Sequence, residues 1–295
     1  MDRINGMRVK IQSPSDHEKD DQLRLMWGDY WVKKELEQAL TELGLALDDH
    51  DPQVVLQLFG APPKKGAPSG VLNLVWLYSH PDWVTPENLS GYQGIFCASR
   101  DFTVRLSEMG YGPVEYMPAC TAKRPVTLPR AYPVVFLGNA RISRPDGRKI
   151  VKDILDTGHP FKAWGNLWDT LLPESCYGGK YWAYDRLEEL YASSGITLND
   201  HHLDMAREGF VSNKVFDILA SGGFCISSPN KGLDQLFGDA VPQYESVDHL
   251  RELLNHYLAH EEERQRLMSR GRRTALGHTY RDRAHRLAAF IRERV

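Results

Sequence analysis

A chain of 295 residues that is 42% hydrophobic can bury a large core, and its length predicts two domains. The formal net charge of −3 excludes a global basic field, so no nucleic-acid partner is expected. Four cysteines, Cys97, Cys120, Cys176 and Cys225, show neither metal-ligand spacing nor a disulfide framework, and there is no signal peptide or membrane-length apolar run; the expected setting is a reducing cytoplasm.

Residues 7–11 read as a first strand. The polar loop that follows, through residue 24, lacks the G-x-G-x-x-G of a dinucleotide-binding unit, which argues against an NAD enzyme. Trp27-Gly28-Asp29-Tyr30-Trp31 opens a helix that runs to about Leu43 and stops at Gly44. Asp29, close to the end of strand one, reads either as the cap of that helix or as a general base. Residues 48–51 read as a solvated turn before the strand at 54–59. A Pro-, Gly- and Lys-rich loop covers residues 60–70. The strand at 71–76 then ends in Tyr78-Ser79-His80-Pro81-Asp82, where His80 and Asp82 suit acid/base work or a proline turn with a hydrogen-bonded histidine. A strand at 94–97, a helix at 100–109 and a short strand at 115–117 follow.

The Pro- and Thr-bearing connection at 120–130 is the best domain boundary. Beyond it a strand starts at Pro133 and runs into a polar turn with Arg141, Arg144, Arg148 and Lys149, each of which on its own reads as a solvated charge. Residues 161–165 form a strand, and Tyr177-Gly178-Gly179-Lys180 a Gly-rich loop ahead of a helix at 182–193. The next unit is a buried strand at 195–198, a polar loop from Asn199 to Glu208, a helix at 215–220 stopped by Ser221-Gly222-Gly223, and a strand at 224–227. That order is a parallel crossover, and ligands of such units sit off the carboxyl ends of the strands. At the front of the helix, exposed N–H groups and the macrodipole attract an anion, Lys214 adds a full charge, and Asp217 shares its face. The two read as a grip on a nucleotide diphosphate, cation on phosphate and carboxylate on ribose, or as an ordinary surface pair. Residues 238–244 read as an outer strand, and 247–259, 261–276 and 280–294 as charged amphipathic helices. The run Asp200-His201-His202-x-Asp204 is short of a closed metal site, because adjacent histidines on a regular element point apart; no metal is expected there.

The segment Asn213-Lys214-Val215-Phe216-Asp217-Ile218-Leu219-Ala220-Ser221-Gly222 resembles the N-R-x-F-E-A-L-A-x-G stretch of group 1 glycosyltransferases, especially the CgeB-like branch. Ser79-His80-Pro81-Asp82 is similar to that branch's S-H-P-D/E. The resemblance implies an α/β fold of the GT-B type, with two Rossmann-like domains facing a cleft. Residues 1–127 would form the acceptor side, 128–278 would hold a nucleotide-sugar donor, and 279–295 would be a helix crossing back onto the first domain. By the same resemblance, Lys214, Ser212, Asn213, Arg141 and Arg144 would contact the donor phosphates and Asp217 the ribose. Asn199, His201, His202, Asp204 and Glu208 would contact the donor sugar, and Asp29, His80 and Asp82 would be catalytic. The implied activity moves a sugar from a nucleotide-diphosphate sugar to a hydroxyl acceptor, with no cofactor and no metal, because the helix front and its cations stabilise the leaving group. Hydrolysis or epimerisation of a nucleotide sugar, and non-catalytic glycan binding, are the alternatives. The Asp-x-Asp by which the GT-A fold holds a metal occurs within residues 48–51, ahead of the nucleotide-binding half rather than after it. The paired glutamates of retaining members, seven residues apart, are not matched: counting back from Asp217 reaches Gly209, with Glu208 one place off.

Overall fold

The computed structural model describes residues 5–60, 70–141 and 148–295, so most of the loop expected at 60–70 lies outside it. The chain divides into two compact units: Met1–Ala122 with Glu208–Phe210 and His278–Val295, and Lys123–Arg207 with Val211–Gly277. Among the described residues, no helix is long and apolar enough to cross a membrane.

The first unit is built on a parallel sheet of β1 (Arg8–Gln12), β2 (Ala46–Leu47), β3 (Val54–Phe59), β4 (Leu72–Leu77), β5 (Gly94–Cys97) and β6 (Val114–Tyr116), in the order β2-β1-β3-β4-β5-β6. The inner strands are near-continuous apolar runs because both faces of a parallel sheet are covered. Helices Gly28–Glu42 and Tyr280–Arg292 help to cover it: Val32, Leu36 and Leu40 from one, and Leu287, Phe290 and Ile291 from the other, join Ile11, Leu56 and Trp76 in one core. Gly94 is where the last helix sits closest, since a Cβ there would lie 2.4 Å from the Phe290 ring. The buried Arg283 pins the same helix by donating to the carbonyls of Pro118 (2.8 Å) and Ala119 (3.0 Å). From β1 the chain first pairs β2 on one side and then β3 on the other. The strand order therefore reverses at the carboxyl ends of β1 and β3, the place where open α/β sheets bind ligands.

The second unit repeats the plan with β7 (Tyr132–Leu137), β8 (Lys162–Trp164), β9 (Tyr177–Gly179), β10 (Ser194–Asn199) and β11 (Cys225–Ser227), all parallel, in the order β11-β10-β7-β8-β9. Its reversal falls between β7 and β10. Helix Asn213–Ala220 carries the chain from β10 to β11 and is buried at every position from Val215 to Ala220.

Among the described residues, several segments depart from the sequence reading. The expected Gly-rich loop at 177–180 pairs as the edge strand β9, where Gly178 lies flat on Trp164; a Cβ would come within 2.4 Å of the indole. The outer strand expected at 238–244 is a short 3-10 turn, Gly238–Ala240, and a single bridge from Gln243 to Ser227, because Pro242 has no N–H to give a ladder. The polar loop after β10 ends in its own helix, Leu203–Glu208. The helix expected at 182–193 shortens to Leu187–Ala192 behind a 3-10 turn at Tyr184–Arg186.

Candidate functional site

In the second unit the reversal between β7 and β10 is shaped by two glycines. Gly138 (φ +152°) and Gly165 (φ +142°) let the ends of β7 and β8 meet backbone to backbone, and a Cβ on Gly165 would lie 2.3 Å from the Gly138 oxygen. Beside this junction the Arg148 guanidinium and the Lys214 ammonium stand 5.3 Å and 5.1 Å from the centre of the Phe136 ring. A Cβ on Gly138 would reach to 3.0 Å of Arg148 Nη2 and 3.3 Å of Lys214 Nζ, so glycine keeps that space open. Lys214, in the first turn of helix Asn213–Ala220, donates to the Leu137 carbonyl (2.7 Å). Arg148 donates through Nε to the Asn139 carbonyl (2.8 Å) and through Nη1 to Asp200 Oδ1 (2.5 Å). Arg141 Nη1 lies 3.5 Å from Asp200 Oδ2 and donates to the His201 carbonyl (3.4 Å). Two arginines thus hold one buried carboxylate beyond the end of β10, and the Lys214 charge acts on it from beside them.

Crowding like charges in a dry place has a cost that shows in the titration of the group best able to shed its proton. Burial, then the charge of Arg148, depress the Lys214 ammonium to about 7, and the pull of Asp200 does not restore it. Asp200 responds the other way: burial alone would raise it, but Arg148, Arg141 and Lys214 hold it below the usual carboxylate value. Burial takes His201 to about 3, so its imidazole is neutral. Three side-chain atoms around the cluster are buried without a hydrogen-bond partner among the described residues: Ser212 Oγ, Asn199 Oδ1 and His201 Nε2. Ser212 stands at the N-cap of helix Asn213–Ala220 yet its side chain makes no capping bond.

The other expected donor-side residues fall as follows. Asn199 is fully buried and donates to Ser227 Oγ (3.0 Å). Asp217 is only 4% exposed, and its charge adds to burial in raising the Tyr191 phenol, so Lys214 and Asp217 are not an ordinary surface pair. His202 and Asp204 are half-buried, and Asp204 accepts the Met205 N–H. Glu208 belongs to the first unit, where it pairs with Arg105 (2.9 Å) while its carbonyl accepts from Ser99 (2.5 Å). Arg144 lies outside the described residues. Among those described, no group of three or more His, Cys, Asp or Glu could hold a metal ion; Asp200 is committed to the arginines instead. Sequence reasoning left two members of this cluster unchosen, Arg148 and Asp200. Their signal was positional, as charged residues shortly beyond the two strands that flank the reversal.

In the first unit Asp29 lies in the first turn of helix Gly28–Glu42, but Trp27 holds the N-cap position. The Asp29 carboxylate turns instead to the end of β1, where its Oδ2 accepts from Ser13 Oγ (2.5 Å) and from the Ser15 N–H (2.7 Å). This removes the capping reading. His80 occupies the left-handed region (φ 51°, ψ 56°) at the head of the 3-10 turn Pro81–Trp83, and its ring stacks on Trp83 at 4.1 Å. Asp82 is exposed in that turn. The proline-turn description fits this backbone, and a left-handed non-glycine residue is itself a common mark of functional sites.

Comparison with known proteins follows the same lines. Residues 144–289 match the family model described as glycosyl transferase-like. A search of curated protein sequences found no match. Among solved structures, a sucrose-phosphate synthase from Thermosynechococcus elongatus superposes with a TM-score of 0.72 at 12% identity, over 98% of this chain and 99% of that one. The β-glucosyltransferase of phage T4, described as a DNA modifying enzyme and solved with its UDP-glucose substrate, gives 0.66 at 11% identity over 97% and 99%. A pneumococcal O-GlcNAc transferase solved with UDP and GlcNAc gives 0.54 at 12% identity over 88% and 60%. At such identities these likenesses establish the fold, and they match the GT-B architecture expected from the sequence. Residues 144–289 thus match the glycosyl transferase-like family, which supports a transferase, and the chain as a whole carries the GT-B fold.

Proposed function

We propose that the chain moves a sugar from a nucleotide-diphosphate sugar to a hydroxyl acceptor without a metal ion. The observation that carries this reading is the cluster of Lys214, Arg148 and Arg141 at the strand-order reversal of the second unit. A lysine whose proton is loosened by burial and by Arg148 holds it more firmly when a dianion arrives, so the site becomes more cationic as the diphosphate binds. Preformed cations stabilise charge on the departing diphosphate with little reorganisation, the part a metal plays elsewhere. In this reading Ser212 and Asn213 offer further polar groups to the phosphates. Asp217 takes the ribose, and Asn199, His201, His202 and Asp204 face the sugar. Glu208, paired with Arg105, is left out.

In the reaction, the acceptor oxygen bonds to the anomeric carbon, and the bond from that carbon to the diphosphate oxygen breaks with its electron pair. The acceptor proton passes to Asp29, with His80 and Asp82 orienting the acceptor. Three buried cysteines, Cys97, Cys120 and Cys225, suit a cytoplasmic setting. A thermal-shift screen tests the donor half: nucleoside diphosphates and their sugars should raise the melting temperature by mass action, and nucleosides without phosphate should not. A panel in which no nucleotide sugar shifts the transition contradicts it.

A further inference from the structure

The first sheet has its own strand-order reversal, at the carboxyl ends of β1 and β3, and the residues there form a chain of hydrogen bonds with a fixed sense. A carboxylate only accepts, so the 2.5 Å contact from Ser13 Oγ to Asp29 Oδ2 uses the Ser13 proton. The 2.7 Å contact between Ser13 Oγ and Ser15 Oγ then takes the Ser15 proton, with Ser13 as acceptor. The Ser15 N–H adds a second donor to Asp29 Oδ2 at 2.7 Å. Both serines are buried, while Asp29 is only partly so. Just past β3, Gly60 packs against the residue between the two serines, since a Cβ there would lie 3.1 Å from Pro14 and 3.3 Å from Ser79 Oγ. One carboxylate oxygen is thus held by two donors on a rigid turn.

We infer that Ser13, supported by Ser15, is a positioning residue that fixes Asp29 so that its second oxygen, Oδ1, receives the acceptor proton. This rests on the reading of Asp29 as base. A carboxylate hung from one oxygen cannot rotate about its terminal bond, so Oδ1 keeps one direction as the acceptor arrives. Ser13 also supports the local backbone, because its N–H is accepted by Asp16 at 2.9 Å, in a capping box on the 3-10 turn Pro14–His17. The two roles meet at the Ser13 hydroxyl, which also accepts the Ser15 N–H (3.3 Å) as the cap of that turn, so a variant of Asp16 is needed to weaken the cap alone.

The test measures steady-state turnover, acceptor KM and melting temperature for Ser13→Ala, Ser13→Thr, Asp16→Asn and Asp29→Asn, with the donor identified by thermal shift. Positioning predicts that Ser13→Ala lowers kcat about 10- to 100-fold with little change in acceptor KM, and that Ser13→Thr, which keeps the hydroxyl, recovers most of it. Asp16→Asn, which weakens the capping box but not the bond to Asp29, should keep near-normal kcat. If Ser13→Ala and Asp16→Asn lose kcat and melting temperature in parallel, Ser13 serves only the turn and the inference fails. If Ser13→Ala unfolds, Ser13→Thr against Ser13→Cys at matched melting temperature decides, since the thiol is a weak donor. Loss of turnover in Asp29→Asn with none in Ser13→Ala overturns the positioning role alone. Full turnover in Asp29→Asn overturns the base and its positioning together.

Discussion

Lys214→Met is the sharpest perturbation of the donor site, because it removes a charge while keeping an unbranched chain of similar length over Phe136. In the free protein it has two opposed effects. The Leu137 carbonyl loses a 2.7 Å donor, which costs roughly 1 kcal/mol. Against that, a cation that burial and Arg148 already disfavour is gone. The melting temperature should therefore move by only a few degrees. In the complex a charge-assisted contact to phosphate is lost, worth about 1.5–3 kcal/mol, which is roughly 10- to 150-fold in Kd. Inorganic pyrophosphate and the nucleoside diphosphate chosen by thermal shift should weaken by the same factor, since the contact lies on the phosphates. Titration calorimetry with both ligands reads this directly. A folded Lys214→Met protein that binds pyrophosphate as tightly as wild type would refute the assignment of this helix front to the diphosphate.

Binding should also depend on pH. Lys214 sits near 7 in the free protein and is recharged by the anion, so binding takes up a proton above pH 7 and affinity falls as pH rises beyond it; calorimetry in buffers of different ionisation heat should show that uptake, and Lys214→Arg should abolish it. The same depressed value means the unfolded chain holds this proton more firmly, so the penalty to folding is complete below pH 7 and is relieved as pH climbs from 7 towards 10.5. Asp200→Asn leaves Arg148 and Arg141 without the carboxylate they share and should cost about 3–5 kcal/mol in denaturant unfolding, part of it restored by pyrophosphate. Gly165→Ala places a Cβ 2.3 Å from the Gly138 oxygen at a φ of +142°, and should cost about 1–3 kcal/mol or more while lowering nucleotide affinity. Transfer assayed with excess chelator should keep its rate, and a loss that manganese or magnesium reverses would contradict the metal-free reading.

The fold was legible where the sequence carries strong period and punctuation. The apolar runs at 54–59 and 195–198 and the helix at 215–220 stopped by Ser221-Gly222-Gly223 stand out by themselves, and the structure extends the last two only to Ser194–Asn199 and Asn213–Ala220. Short or edge elements did not: Tyr177–Gly179 reads as a loop because its glycines are there to lie on Trp164, a tertiary reason invisible locally. Helices Lys149–Thr157 and Lys231–Phe237 leave little trace in the sequence because each is only about two turns long and follows residues rich in charge or in Pro and Asn. At the site, Lys214 was legible from its place on a helix front after a strand. Its burial was not, since a lysine in sequence reads as solvated. The partnership of Arg148 with Asp200 spans 52 positions, and no local pattern pairs them. Ser13 and Ser15 escaped for the same reason, as their chemistry exists only once Asp29 folds back on the end of β1.

The central claim is that a nucleotide diphosphate is held by side chains at the reversal between β7 and β10. A crystal structure with a nucleoside diphosphate bound tests it most directly. The account predicts phosphate oxygens within hydrogen-bond distance of Lys214 Nζ and of the Arg148 or Arg141 guanidinium, at the front of helix Asn213–Ala220. A diphosphate bound elsewhere on the chain, with Lys214 still donating only to the Leu137 carbonyl, would contradict it.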